Sequence, residues 1–218
     1  MTALTTTMRT AFRDSFAKRA SFWSQMTIMA VNDVAWVVFW IIFFRRVGTV
    51  RGWDVDLVLL LFAVITTAAG LVLGLLSNAR RIPTLVDEGA LDEILSLPVA
   101  PLPHLLVRRI DAVNLGDVAF GISLFVLAGA PTPTRVLTYV AGVAASALLL
   151  TGFLVAAGSL VFFIGRGQAG DLGLHAIILF ASYPADVFSG YTRTMLYTVI
   201  PAAFVSTVPA RLIADFDA

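Results

Sequence analysis

Apolar and polar positions alternate in long blocks along the chain, not with the short periods of a soluble fold. Five blocks reach the length of about 20 residues that a helix needs to cross the hydrocarbon core of a bilayer. They run roughly 26–44, 57–76, 112–130, 137–164 and 174–190. A further apolar stretch, MLYTVIPAAFVSTVPARLI, is interrupted by Pro201 and Pro209. Proline breaks the helical hydrogen-bond ladder, and irregular backbone inside a membrane must be covered by protein or face a wet cavity. Residues 191–214 are therefore expected to form a re-entrant segment packed on the other helices.

Two amphipathic stretches lie outside these blocks. In the N-terminal one, residues 1–25, Met8, Phe12, Phe16, Ala20 and Trp23 recur at helical spacing, away from Arg9, Arg13, Lys18 and Arg19. That pattern predicts an interfacial helix with its aromatic side in the membrane. The second is the loop 77–111. Pro83 suits a first helical turn, and Ile82, Leu85, Val86, Leu91, Ile94 and Leu95 form an apolar stripe. Gly89 is expected to bend or split this helix, and Pro98, Pro101 and Pro103 to extend the chain beyond it. Asp87, Glu88, Asp92 and Glu93 crowd the polar side. Clustered carboxylates are repelled by anionic lipid, so a protein partner suits this surface better than the bilayer. A solvated loop remains the other reading, as for most charge runs.

Composition agrees with a membrane protein: 59% of residues are hydrophobic, 13% are charged, and mean hydropathy is +0.90. All of this describes an all-α integral membrane protein, a single domain over residues 1–218. A net charge of +1 gives no support to nucleic-acid binding. The chain has no cysteine, which excludes disulfides and thiolate sites. No cleavable signal peptide is recognisable, so the first span is expected to act as its own insertion signal. Nine basic residues (Arg9, Arg13, Lys18, Arg19, Arg80, Arg81, Arg108, Arg109, Arg166) fall on one side of the spans. Four (Arg45, Arg46, Arg51, Arg135) fall on the other, which predicts a cytoplasmic N-terminus.

Asn32 and Asp33 in the first span and Asp117 in the third are the polar residues a transport path would use. A charge at the bilayer centre costs about 2.5–3.5 kcal/mol on insertion scales, so these groups should face protein or water. They are either satisfied between helices or in contact with a cationic cargo. Gly70 and Gly74 form a GxxxG pair, which favours close helix packing, mostly within one chain. Enzyme motifs are lacking. Lys18, the one lysine, follows Ala17, so no Walker A loop exists. GRGQAG at 165–170 follows a membrane span and not a strand, which makes it a loop and not a dinucleotide site. His104 and His175 belong to no metalloprotease motif and are assigned to packing or interface roles. One alternative of a different class survives: a membrane-embedded lipid-modifying enzyme whose acidic loop holds a metal, although Asp87, Glu88, Asp92 and Glu93 lack a fixed ligand spacing.

The runs RRIPTLVDEGALDEILSLPVAPLPHLLVRRID, LGDVAFG and YPADVFSGYTRTMLYTVIPAAFVSTVP resemble the permease subunits of ABC-2 type transporters, particularly the branch with viologen and drug exporters. The resemblance starts at AFRDSFAKRASFW and covers nearly the whole chain. It implies six membrane helices, an N-terminal interfacial helix, a coupling helix between the second and third spans, and re-entrant elements before the last span. It further implies paired permeases, identical or similar, driven by two cytosolic ABC ATPase subunits that carry the ATP and Mg, in a bacterial cytoplasmic membrane. The coupling helix would meet the ATPase through Leu85, Val86, Asp87, Glu88, Leu91, Asp92, Glu93 and Leu95. The permease itself would hold no cofactor and catalyse no reaction. The family pattern continues past ARLIADFDA into a final helix, so the sequence is expected either to be truncated or to lack it.

Overall fold

The structure is a computed structural model that describes residues 2–15, 19–164 and 169–216. Phe16, Lys18, Arg166 and most of the GRGQAG run lie outside the described residues. Among those described, the regular elements are all helical. Helices α1 (Thr2–Ser15), α2 (Arg19–Val47) and α3 (Val55–Leu75) come first. The loop helices α4 (Ile82–Asp87), α5 (Ala90–Leu95) and α6 (Pro101–Val107) follow. Then come α7 (Leu115–Ala128), α8 (Pro133–Ser159), the short α9 (Val161–Ile164), α10 (Ala169–Ala181), α11 (Gly190–Thr198) and α12 (Val208–Asp215). The end of the bundle carrying α1 and α4–α6 is called proximal here. The end carrying the turn between α2 and α3 is called distal.

α3 is the hub. Its mean composition is the most apolar in the chain, and most of its residues are buried against α7, α8, α12 and α2. Small residues allow this crowding. A Cβ on Gly70 would lie 2.8 Å from the Asn114 carbonyl oxygen and the Val118 nitrogen, and one on Gly74 would lie 2.7 Å from Leu115. The GxxxG pair is thus the seat of α7 on α3. From the other side, Gly121 of α7 has no room for a Cβ beside Thr67. Two polar groups lock the same layer: the Thr67 and Tyr139 hydroxyls are 2.6 Å apart, and the Tyr139 hydroxyl donates to the Ala63 carbonyl at 3.2 Å. Tyr139 also stacks on Phe125 with ring centroids 4.1 Å apart. α2 and α8 are peripheral by contrast, and Ile28, Val31, Val38, Ile42, Leu137 and Leu148 leave apolar faces uncovered. In a membrane protein those faces meet lipid or another apolar subunit.

The predicted elements need four corrections. Among the described residues, α2, α3 and α8 are long and apolar enough to cross a membrane, and the candidate spans number up to five if two bent helix pairs each count as one. The third predicted span, 112–130, is the 14-residue α7, about 21 Å long and too short alone for a core of about 30 Å. It forms one bent unit with α6 at 76°. The fifth, 174–190, ends early: α10 stops at Ala181, and the chain turns through Pro184 into a 3-10 turn at Ala185–Val187. α11 and α12 form the second bent pair, at 71°, around Pro201. Pro209, however, does not break its helix. It sits in the first turn of α12, preceded by a π-helical turn at Ala203–Thr207 that accommodates its missing N–H. The N-terminal boundary also moves. α2 already begins at Arg19, so Ala20 and Trp23 belong to it, and Met8 and Phe12 to α1.

The loop 77–111 folds back on the bundle. Gly89, at φ +70°, separates α4 from α5, a conformation that glycine adopts without strain. The apolar stripe turns inward: Ile82, Leu85, Ile94 and Leu105 form their own small core, with Val86, Leu91 and Val155 against it. Two bonds close the loop on itself, Ser77 Oγ donating to the Arg109 carbonyl (2.8 Å) and Asn78 Nδ2 to the Leu105 carbonyl (2.9 Å), and the Asp111 N–H ties it to the end of α3 at the Gly74 carbonyl (2.8 Å). α4 is wedged under α8, where a Cβ on Gly158 would be 3.1 Å from Ile82.

Candidate functional site

Midway along α2, Met29, Asn32, Asp33 and Trp36 share one face at helical spacing, and all four line a cavity of about 600 Å³. α3 supplies its second wall through Phe62, Ile65, Thr66, Ala69 and Leu73. The third comes from Asn114 and Asp117 at the start of α7, and the fourth from Leu174, His175, Ile178 and Ser182. The three polar span residues singled out in the sequence, Asn32, Asp33 and Asp117, therefore meet in one place although 84 positions separate the two aspartates (117 − 33). Asp33 and Asp117 are half-buried, and Asp117 lies within reach of the Asp33 charge. No salt bridge joins either to a cation among the described residues.

A half-buried pair of carboxylates among apolar and aromatic walls is suited to an organic cation. The carboxylates supply charge complementarity, the Trp36 ring offers a cation–π face, and the aliphatic walls cover apolar groups. Trp36 is held in place by an edge-on contact with Tyr183 and a stacked one with Phe62, ring centroids 6.2 Å apart in both. His175, assigned from sequence to a packing or interface role, is exposed on the cavity wall, with its Nδ1 2.7 Å from the Asp171 carbonyl oxygen. Trp36 was missed as well, although its spacing from Met29, Asn32 and Asp33 would have placed it on their face.

At the proximal end the predicted docking residues divide. Leu85 is buried in the chain's own core, and Val86 and Leu91 are half-buried, so Leu85 is not available as a contact residue. Asp87, Glu88, Asp92, Glu93 and Leu95 are exposed. Glu93 pairs with Arg108 at 3.1 Å. Glu88 and Asp92 no longer share a continuous helix, because Gly89 intervenes. No group of three or more histidine or carboxylate side chains able to hold a metal occurs among the described residues. The acidic cluster therefore lends no geometry to the metal-bearing enzyme alternative.

The distal end holds a second cluster that was not anticipated from sequence. Asp186 accepts from Arg211 (2.8 Å), Arg193 (3.1 Å) and Trp53 Nε1 (3.3 Å). Arg51 donates to the Asp186 and Phe188 carbonyls, and the Arg211 guanidinium lies 5.3 Å from the centre of the Trp53 ring. Arg51 can reach because it occupies a tight turn, with φ of +51° there and +79° at Gly52, closed by the Val50–Trp53 pair.

A helical bundle with long apolar helices and apolar faces left uncovered defines a multi-pass membrane protein. The model of the family described as ABC-2 family transporter protein matches residues 30–215, and the chain belongs to that family. It is of the class of membrane permease subunits of ABC transporters, which work in general with an ABC ATPase. Comparison with curated proteins and with solved structures finds no match.

Proposed function

We propose that this chain is the permease subunit of an ATP-driven exporter of lipophilic organic cations, with the cavity around Asp33 and Asp117 as the cargo site. The observation that carries this reading is the convergence of two carboxylates and Trp36 on one largely apolar cavity of about 600 Å³, within the size range of pockets for drug-sized molecules. Viologen-like cations combine positive charge with flat apolar rings and suit those walls. The proximal end is cytoplasmic in this reading, within a bacterial inner membrane, and a second permease pairs with this one.

An ABC ATPase docks on the exposed side of α4 and α5, at Asp87, Glu88, Asp92 and Leu95. Its ATP- and Mg-driven closure pushes α4, and Ile82 transmits the displacement to α8 at Gly158. The same loop is bonded to the end of α3 through the Asp111 N–H and the Gly74 carbonyl and leads directly into α7, so a push there also moves two walls of the cavity, α3 and α7. Cargo entry and release then follow from alternating exposure of the cavity.

The test is transport of methyl viologen and tetraphenylphosphonium into inverted vesicles containing permease and ATPase. Replacing a carboxylate that contacts a cation costs about 1.5–3 kcal/mol, so Asp33→Asn and Asp117→Asn should each lower cation transport at least tenfold. Copurification of the ATPase should be unchanged. Undiminished transport by the double variant would remove the cargo-site assignment.

A further inference from the structure

A second cavity, about 450 Å³, opens at the proximal end between α1, α5 and the segment 108–110 that leads into α7. Among the described residues, three cations face it, Arg81, Arg108 and Arg109, against one anion, Glu93. Only Arg108 is paired, with Glu93. Among the described residues, neither Arg81 nor Arg109 has a carboxylate within ion-pair distance. At the wall sits Asn78, 4% exposed, whose Nδ2 is used by the Leu105 carbonyl while its Oδ1 has no hydrogen-bond partner. A buried acceptor left unsatisfied costs stability unless something donates to it.

We infer that this cavity binds the headgroup of an anionic phospholipid that carries a hydroxyl, of the phosphatidylglycerol type. The excess of guanidinium charge suits a phosphodiester, since arginine pairs with phosphate oxygens through parallel charge-assisted bonds. A headgroup hydroxyl supplies the donor that Asn78 Oδ1 lacks. Depth favours a lipid over a free ion. Asn78 lies within about one turn of the last residue of α3, and Ile110 just ahead of α7, so the cavity sits where apolar helices give way to headgroups. Ala90, half-buried, adds apolar surface to the remaining wall. The site is separate from the cargo cavity and needs only the membrane setting, not the ATPase contact.

The experiment is native mass spectrometry of the purified full chain released from nanodiscs of phosphatidylcholine, with phosphatidylglycerol or phosphatidylmethanol added. Phosphatidylmethanol has the same charge and no headgroup hydroxyl. One tightly retained phosphatidylglycerol per chain is expected, held better than phosphatidylmethanol, and this comparison needs no variant. The R81Q/R109Q double variant should weaken retention by about tenfold or more. R45Q/R46Q, an equal charge loss at the distal end, should leave it unchanged. Melting in phosphatidylcholine alone verifies that the variants are folded. Equal retention of the two anionic lipids, equal weakening by both arginine pairs, or displacement of the lipid by inorganic phosphate at comparable concentration overturns the assignment.

Discussion

Asp186 at the distal end and Asp87, Glu88 and Asp92 at the proximal end are the same kind of group put to opposite uses. Asp186 has a side chain only 14% exposed, and both its oxygens are engaged, by two arginines and the Trp53 indole. It ties the α2–α3 turn to the segment before α11 and to α12, so its charge is consumed in holding three chain segments together. The proximal carboxylates tie nothing together: they stand on short helices whose apolar sides already satisfy the fold. A charge enclosed by donors must be kept for stability, whereas a charge left facing outward costs little to remove and is free to meet a partner.

The largest expected effect falls on the enclosed charge. Asp186→Asn should lower stability by about 2 kcal/mol, read as a drop in melting midpoint in nanodiscs. That is below the cost of breaking a fully buried pair, because the Arg193 and Arg211 side chains are 55% and 42% exposed and partly screened. A loss too small to measure would break the contrast between the two ends. An intermediate effect is expected from Tyr139→Phe, which keeps the stack on Phe125 but strands the buried Thr67 hydroxyl. It should cost about 1 kcal/mol. Smaller still is Arg108→Ala. Its pair with Glu93 is exposed on both sides, 40% and 67%, and should contribute less than about 1 kcal/mol, fading with added salt.

What could be anticipated from sequence divides along the same line. Long-period features were legible: the apolar blocks that became α2, α3 and α8, the break at Gly89, the bend near Pro201, and close helix packing at Gly70 and Gly74, though not which helix packs there. Each depends on one residue type or on composition over a full helix. Features set by where the chain folds back were not. The inward turn of Leu85 depends on α6 and α8 arriving beneath α4, which no local period reports. Likewise, Asp186 and Arg51 are 135 positions apart, and only the tertiary fold brings them together (186 − 51). The cavity lies between these extremes. Asn32, Asp33 and Asp117 stood out because charge is costly in a bilayer, but their convergence and the part of His175 required α2, α7 and α10 to be packed. The short α7 and α10 were overestimated because hydropathy does not register the turns before Leu115 and after Ala181.

The smallest effect on stability carries the largest expected consequence for assembly. Replacing Asp87, Glu88 and Asp92 together by lysine should change stability by no more than about 0.5 kcal/mol per site, because none has an ion-pair partner to lose among the described residues. If these carboxylates form the face that an ABC ATPase grips, inverted charge places repulsion where attraction was needed, and like-charge juxtaposition across an interface costs several kcal/mol. Coexpressed ATPase should then fail to copurify while the permease itself remains folded. Retention of the ATPase at wild-type level would move the docking face elsewhere on the proximal end. A loss of stability as large as that of Asp186→Asn would mean that these charges are structural after all, and the contrast between the two ends would disappear.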